Sequence, residues 1–366
     1  MIRQHIGFIR KLMKEQQAET EETAKIEHMK MNAVYWGLSA LDLLNALPLT
    51  EERNLIMNKL QKCRNVDGGY GGSPLHDSHI LSTLSVIQIA VILGQVDKID
   101  RESINIAGLQ NKDGSFNGDK YGEVDTRFSY CACCALSLIN KLNVINQEKA
   151  VEYLDRCRNW DGGFGQWIDS ESHGGQIFCS VGALDILNKI NIIEKDKLIW
   201  WLSERQTELG GLCGRPEKDP DVCYSWWDLS VLSILNSIDS IDKDKLAGFI
   251  LKCQDKDKGG ISDSVENEPD VYHTFFGLAG LTLLNNPVLE RELREASQEI
   301  TEISDEEGIE KPNKKDGDVN ITTSSTGSTF INTINPTYAL THRALRYRKD
   351  YFTNVLKEQL MDKDGL

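Results

Sequence analysis

At 366 residues, 40% of them hydrophobic, the chain holds enough apolar material for one large core or two ordinary ones. A net charge of -15 argues against a protein that grips nucleic acid through its phosphates, and no apolar run approaches the roughly 18 residues that a membrane span needs. The nine cysteines are an odd number, and Cys131, Cys133 and Cys134 crowd one apolar stretch without a second CxxC pair, so they read as reduced core thiols of a cytoplasmic protein.

Residues 1–27 mix Lys and Arg with Glu15, Glu19, Glu21 and Glu22, without the apolar core of a secretory signal. They predict a polar N-terminal helix docked outside the main body. From residue 28 the chain repeats. A glycine turn recurs at Gly68, Gly114, Gly162, Gly210 and Gly259, at intervals of 46, 48, 48 and 49 residues. An apolar-periodic segment precedes the turns (Ala150–Cys157, Asp196–Gln206, Lys243–Gln254). A longer one follows each (Ser78–Leu93, Thr126–Ile139, Gln176–Leu187, Tyr224–Leu235, Tyr272–Leu284), and Met31–Leu44 makes a sixth. The longer segments are apolar nearly all round, as expected of helices buried on both sides. Residues 28–286 therefore predict an all-α domain of about six helix pairs, and the inner helices favour closure into an α/α barrel over an open solenoid. Residues 287–330 are acidic and then rich in Thr, Ser and Gly, which reads as a disordered, solvated insertion. Residues 331–366 regain order, with a helix near Tyr347–Leu360 packing back on the barrel.

The period aligns His79, Asp125, His173, Asp221 and Asp270 where loops enter the inner helices, so these residues share one rim. Asp221 and Cys223 are two apart and would diverge in a regular helix, yet they can meet at a metal where Pro220 marks the start of one. His273 lies one repeat on, in a stretch that echoes Pro220–Tyr224. Asp221, Cys223 and His273 would leave a fourth coordination position open, as a catalytic zinc requires. Taken alone, the Asp-x-Cys pair is a weak signal and is better explained by a helix-capping Asp beside a buried Cys. His173, Gly174 and Gly175 open an inner helix, where two glycines let a ligand reach the backbone and the helix start favours anions. Arg215 and Lys218 suit phosphate oxygens or belong to a solvated loop. Arg127 fits a rim salt bridge. Six of the seven Trp lie between Trp160 and Trp227, which places any aromatic wall there; Trp226 and Trp227 otherwise read as core.

Several longer motifs carry a family resemblance. They are Gly122–Ser129, Trp160–Gly165, Glu171–Gln176, Trp200–Gln206, Arg215–Trp227 and Tyr272-His273-Thr274. Over about residues 28–285, and again near 334–347, the chain resembles the β subunits of protein prenyltransferases, most closely those of the Rab (type II) geranylgeranyltransferases. The Arg-Pro-Glu-Lys and Pro-Asp-Val-Cys-Tyr-Ser-Trp-Trp runs carry the type II resemblance.

The resemblance implies a central funnel, one Zn²⁺ on Asp221, Cys223 and His273, and a separate α subunit. The substrates it implies are geranylgeranyl diphosphate and a Rab-type GTPase presented by an escort protein. It implies catalytic roles for the zinc ligands, Lys218 and Tyr224. Diphosphate contacts fall on His173, Arg215, Lys218 and Tyr224, with Gly174, Gly175 and Ser225 beside them. Prenyl contacts fall on Arg127, Tyr224 and Trp227, with Trp226 adjoining. Where farnesyl relatives narrow the funnel floor with Trp and Tyr, this chain has Asn32 and Leu84, so twenty carbons should fit. Mg²⁺ at the diphosphate is a further candidate, with Asp263 as a ligand. The alternatives are a type I or farnesyl enzyme and a non-catalytic barrel scaffold. A terpene cyclase fits less well, for want of an Asp-rich motif within an inner helix.

Overall fold

The computed structural model describes residues 1–15, 20–285 and 332–364. Helix α1 (Ile2–Glu15) and the short α2 (Glu21–Lys25) lead into α3 (Lys30–Leu43) and α4 (Thr50–Gln61). Then come α5 (Ile80–Leu93), α6 (Thr126–Leu138), α7 (Gln147–Arg156), α8 (Gly174–Ile186) and α9 (Lys195–Ser203). The ring is completed by α10 (Tyr224–Ile234), α11 (Lys243–Lys252) and α12 (Val271–Leu283). After residue 332 a two-stranded hairpin, β1 (Ile334–Asn335) with β2 (Leu340–Thr341), precedes α13 (His342–Asp364). The insertion read at 287–330 lies outside the described residues.

The inner helices α3, α5, α6, α8, α10 and α12 each pack on the next, and α12 returns to α3. The expected barrel is therefore closed. All six run the same way, so their starts form one rim. Four of them are capped there by the residues that the repeat aligned: His79, Asp125, His173 and Asp270 each accept a backbone N–H from two or three residues on. Asp221 does the same for the amide of Cys223 at 2.7 Å. Helix α10 starts at Tyr224 and not at Pro220, because residues 221–223 form a turn around that bond.

Each glycine turn closes a small antiparallel bridge, at Arg64–Tyr70, Gln110–Phe116, Arg158–Phe164, Gln206–Leu212 and Gln254–Ile261. Gly68 (φ 82°) shows why glycine is required. Its backbone is left-handed, and a Cβ would lie 1.9 Å from the carbonyl oxygen of Ser103 in the next repeat. Gly259 (φ 78°) is pinched in the same way against Gln4 of α1. The N-terminal helix is thus the outer partner of α3 and the neighbour of the last repeat. It is amphipathic rather than simply polar, and buries Ile2, His5 and Ile9. The outer layer departs from six full helices at one place. Between α5 and α6 only a 3-10 turn (Ala107–Leu109) occupies it. The local run Ser-Ile-Asn-Ile-Ala-Gly mixes β-branched residues, Asn and Gly, all weak helix formers.

His5 fastens the ring. Its Nδ1 accepts the amide of Gly260 at 2.8 Å, so Nε2–H faces Gln254 Oε1 at 3.2 Å. Burial, with a smaller push from the N-terminal ammonium, lowers its pKa from 6.5 to about 4 despite the bond to Gln254. The unfolded chain therefore binds this proton more readily. The stabilisation is whole above pH 6.5 and fades towards pH 4, where about 3 kcal/mol is lost. We expect amide protection in α1, corrected for intrinsic exchange, to fall by roughly a hundredfold across that window. His5→Gln should flatten the dependence; an unchanged slope would clear His5 of the role.

The C-terminal segment closes the far end of the barrel. Tyr35 and Tyr130 hydroxyls donate to the carbonyls of Ala339 and Thr337, each at 2.8 Å. Buried Asp42 accepts from Arg343 Nε at 2.7 Å. Helix α13 begins at His342, five residues before the expected Tyr347.

Candidate active site

A cavity of about 690 Å³ fills the ring, a size typical of small-molecule sites. All six inner helices line it. Its apolar wall is Trp36, Phe178, Trp227, Tyr272 and Phe276, in edge and tilted ring contacts of 4.6–5.1 Å, with Trp227 Nε1–H donating to the Tyr272 hydroxyl at 3.2 Å. Tyr35, Tyr130, Gln88 and Ala339 lie towards the closed end. Asn32 and Leu84 both line the cavity, and Asn32 reaches Ser85 Oγ at 3.3 Å.

This wall is not where the tryptophan run placed it. Trp160, Trp167 and Trp200 are exposed on the outside, and Trp201 packs in the outer layer. Only Trp227 of the run faces the cavity. Trp226 is fully buried between Phe178 and Phe276. Ser225 turns towards Gly280 of α12. Neither contacts the cavity, because α10 presents one face inward and these positions fall on its flanks. Arg127 lines the cavity and also pairs with buried Asp125 at 2.7 Å.

At the rim, one ligand atom each from Asp221, Cys223 and His273 lies within 4.8 Å of the others, the one such group among the described residues. The starts of α10 and α12 bring them together, as the repeat predicted. His273 Nε2 is 3.4 Å from Asp221 Oδ1, and its Nδ1 is 2.6 Å from Asp270 Oδ2. Asp270 thus fixes the ring so that Nε2 faces Asp221. It also caps α12, accepting the amide of His273 at 2.8 Å. Burial lowers the pKa of His273, but the bonds to Asp221 and Asp270 outweigh it and lift the value to about 9. Burial and then the Asp221 carboxylate push the Cys223 thiol well up. Both shifts run upward, which marks a site short of positive charge. Oxygen, sulfur and imidazole donors with a carboxylate behind the imidazole suit zinc. The Asp263 carboxylate, by contrast, is engaged by Asn267 and by the amide of Ser264. We expect Asp270→Asn, which keeps a capping oxygen, to weaken zinc binding by about 10–100-fold in a chelator competition. Unchanged affinity would show that the ring needs no such support.

Beside the donor group is a cationic corner. His173 Nε2 meets the Tyr224 hydroxyl at 3.2 Å, and His173 Nδ1 accepts the amide of Gly175. Burial, then nearby Arg215, lowers the pKa of His173. Arg215 pairs with Glu171 at 2.8 Å, while the Lys218 ammonium forms no ion pair among the described residues. Gly174 does not open the backbone to a ligand. A Cβ there would meet Asp228 Oδ1 at 2.2 Å and the Tyr224 ring at 3.2 Å. Gly175 is merely 3.4 Å from the His173 ring by the same measure.

The sequence reading missed Asp270 as a partner of His273, and Trp36, Phe178 and Phe276 as wall. Asp270 carried a signal, since it lies three residues before His273 at a capping position. The aromatic residues carried none.

A closed α/α ring whose rim gathers a three-donor group and a cationic corner defines a class, and the chain belongs to it: residues 1–340 match the prenyltransferase alpha-alpha toroid domain family. Among particular proteins it is similar to the geranylgeranyl transferase type-2 subunit beta of Candida albicans, 45% identical over 164 residues, 41% of this chain and 48% of that one. The Saccharomyces cerevisiae protein of the same description is 45% identical over 156 residues, again 41% and 48%. The matched stretch spans about half the length of these curated relatives. In structure the chain resembles Candida albicans protein geranylgeranyltransferase-I complexed with GGPP, with a TM-score of 0.76 and 22% identity over 95% of this chain and 98% of that one, a likeness of fold. No described helix is long and apolar enough to cross a membrane.

Proposed function

We propose that this chain is the catalytic β subunit of a type II protein geranylgeranyltransferase. It acts with an α subunit in the cytoplasm and moves a geranylgeranyl group from geranylgeranyl diphosphate to C-terminal cysteines of Rab-type GTPases, which an escort protein presents. The observation that carries this reading is the coupling of donor group to cavity. Tyr272 lines the cavity, accepts from Trp227 and interacts with the Cys223 thiol, so a reacting thiol and a lipid end would meet there. The 45% identity to type-2 β subunits supports the lipid and the acceptor class.

Asp221, Cys223 and His273 would hold zinc, which when bound supplies the Lewis acidity that keeps an acceptor thiol ionised at neutral pH. Trp36, Phe178, Trp227, Tyr272 and Phe276 hold the isoprenoid and exclude water. As the acceptor sulfur bonds to C1 of the lipid, the C1–O bond breaks and the diphosphate leaves with the electron pair. Charge grows on that leaving group, and we assign His173, Arg215, Lys218 and Tyr224 as the donors that meet it. Arg215 must exchange Glu171 for phosphate to do so.

The test is metal analysis of the chain co-expressed with its α subunit, run beside a transfer assay with geranylgeranyl diphosphate and an escorted Rab-type acceptor. We expect about one zinc per chain and transfer to the acceptor cysteine. A zinc-free complex with full transfer would overturn the site assignment, and transfer of farnesyl alone would overturn the lipid.

A further inference from the structure

One buried ionisable group has no part in the chemistry above. Asp228 lies on α10, one turn beyond Tyr224, and its carboxyl is fully buried with neither oxygen hydrogen-bonded among the described residues. An unsatisfied buried polar group of this kind costs about 1–3 kcal/mol. Burial holds the carboxyl well above the ordinary range, against a weaker opposing pull from Arg205. Arg205 is itself occupied, with Nε donating to the Trp201 carbonyl at 3.1 Å and its guanidinium 4.6 Å over the Trp201 ring. Burial thus favours the neutral form of Asp228, and no cation is bound to it among the described residues.

What the carboxyl does touch is the start of α8. The space where Gly174 would carry a Cβ is filled by Asp228 Oδ1, at 2.2 Å, and by the Tyr224 ring. Gly214 opposes it, since a Cβ there would lie 2.2 Å from the Tyr224 hydroxyl. The amide of Gly174 donates to the carbonyl of Gly214 at 2.9 Å, tying the two glycines together. Tyr224 is thus clasped between two bare Cα atoms, with Asp228 closing the clasp from behind. Its hydroxyl has one direction left, towards His173.

We propose that Asp228 is a positioning residue for the diphosphate end of the site: wedged against Gly174, its carboxyl fixes the start of α8 and, through it, the His173–Tyr224 pair. The inference rests on the reading of His173 and Tyr224 as diphosphate contacts. Shape is the property used. A flat, short, uncharged branch fits against a bare Cα, whereas an ionised one would set a negative charge behind the place where diphosphate binds. The fit is mutual, so Gly174 and Asp228 should tolerate change only together.

The experiment uses the chain co-expressed with its α subunit, and measures affinity for geranylgeranyl diphosphate and for geranylgeraniol, which lacks the anionic end. Asp228→Asn keeps the shape and should hold diphosphate affinity within about twofold. Asp228→Ala should lower it about tenfold and leave geranylgeraniol binding unchanged. Gly174→Ala alone should lower both the melting temperature and the diphosphate affinity, and the double variant Gly174→Ala with Asp228→Ala should regain most of each. Equal losses for the two ligands in Asp228→Ala, or a double variant no better than the sum of the singles, would overturn the inference. Failure of the unaltered complex to bind the diphosphate would sink the functional reading instead, whereas loss of the rescue with that binding intact would sink this inference alone.

Discussion

Cys223→Ala is expected to strip the protein of zinc and of transfer activity in one step. Three protein donors are the fewest that hold a catalytic zinc firmly, and Cys223 is the softest and most buried of the set, 6% exposed. Removing its sulfur leaves Asp221 and His273 3.4 Å apart, able to pair with each other instead of with an ion. The acceptor thiol then stays protonated, and a thiol is a far weaker nucleophile than its thiolate. We expect zinc content to fall from about one per chain to near zero, and turnover to drop by at least a thousandfold, or about 4 kcal/mol in the barrier. Lipid binding should survive, because Trp227 and Tyr272 remain in the wall. Fluorescence titration with geranylgeranyl diphosphate reads that separately from turnover. Retention of both metal and turnover would end the zinc assignment.

Much of this site was legible because backbone demands leave residue-type signatures. Gly68 and Gly259 hold a left-handed backbone that other residues resist, so their period survives in the sequence. His79, Asp125, His173 and Asp270 cap helices with polar side chains in register, and that register put Asp221, Cys223 and His273 side by side before any coordinates did. What stayed hidden depends on partners far along the chain. Nothing local in residues 2–15 says that His5 will meet Gln254 and Gly260, some 250 positions away. Nothing near Ala339 says that it will floor the cavity beside Tyr35. The tryptophans misled because aromatic content does not encode which way a side chain faces in a closed ring. Trp160 is exposed at a turn while Trp36, far upstream, lines the cavity. Gly174 misled in another way, since it looked like room for a ligand and is room for Asp228.

The second large effect concerns lipid length. Asn32 and Leu84 line the cavity on adjacent inner helices, α3 and α5, and Asn32 leans on Ser85. Behind them the hairpin carbonyls take hydrogen bonds from Tyr35 and Tyr130, so the cavity cannot lengthen past the floor. On the proposed function, the bulk at positions 32 and 84 would set how many isoprene units fit. Asn32→Trp places an indole where the last unit of a twenty-carbon chain would lie. Expelling five carbons forfeits about 4 kcal/mol at roughly 0.8 kcal/mol per buried carbon, close to a thousandfold in affinity. A fifteen-carbon chain never reached that space and loses nothing. We expect the variant to bind and transfer farnesyl in preference to geranylgeranyl, with zinc content untouched because Asn32 and Leu84 lie on α3 and α5, whereas the donor group sits at the starts of α10 and α12. Leu84→Tyr, which enlarges the neighbouring wall by one ring, should shift the preference the same way by a smaller factor. If both variants still favour twenty carbons, the chain end lies elsewhere in the cavity, and the floor formed by α3, α5 and the hairpin does not measure the lipid.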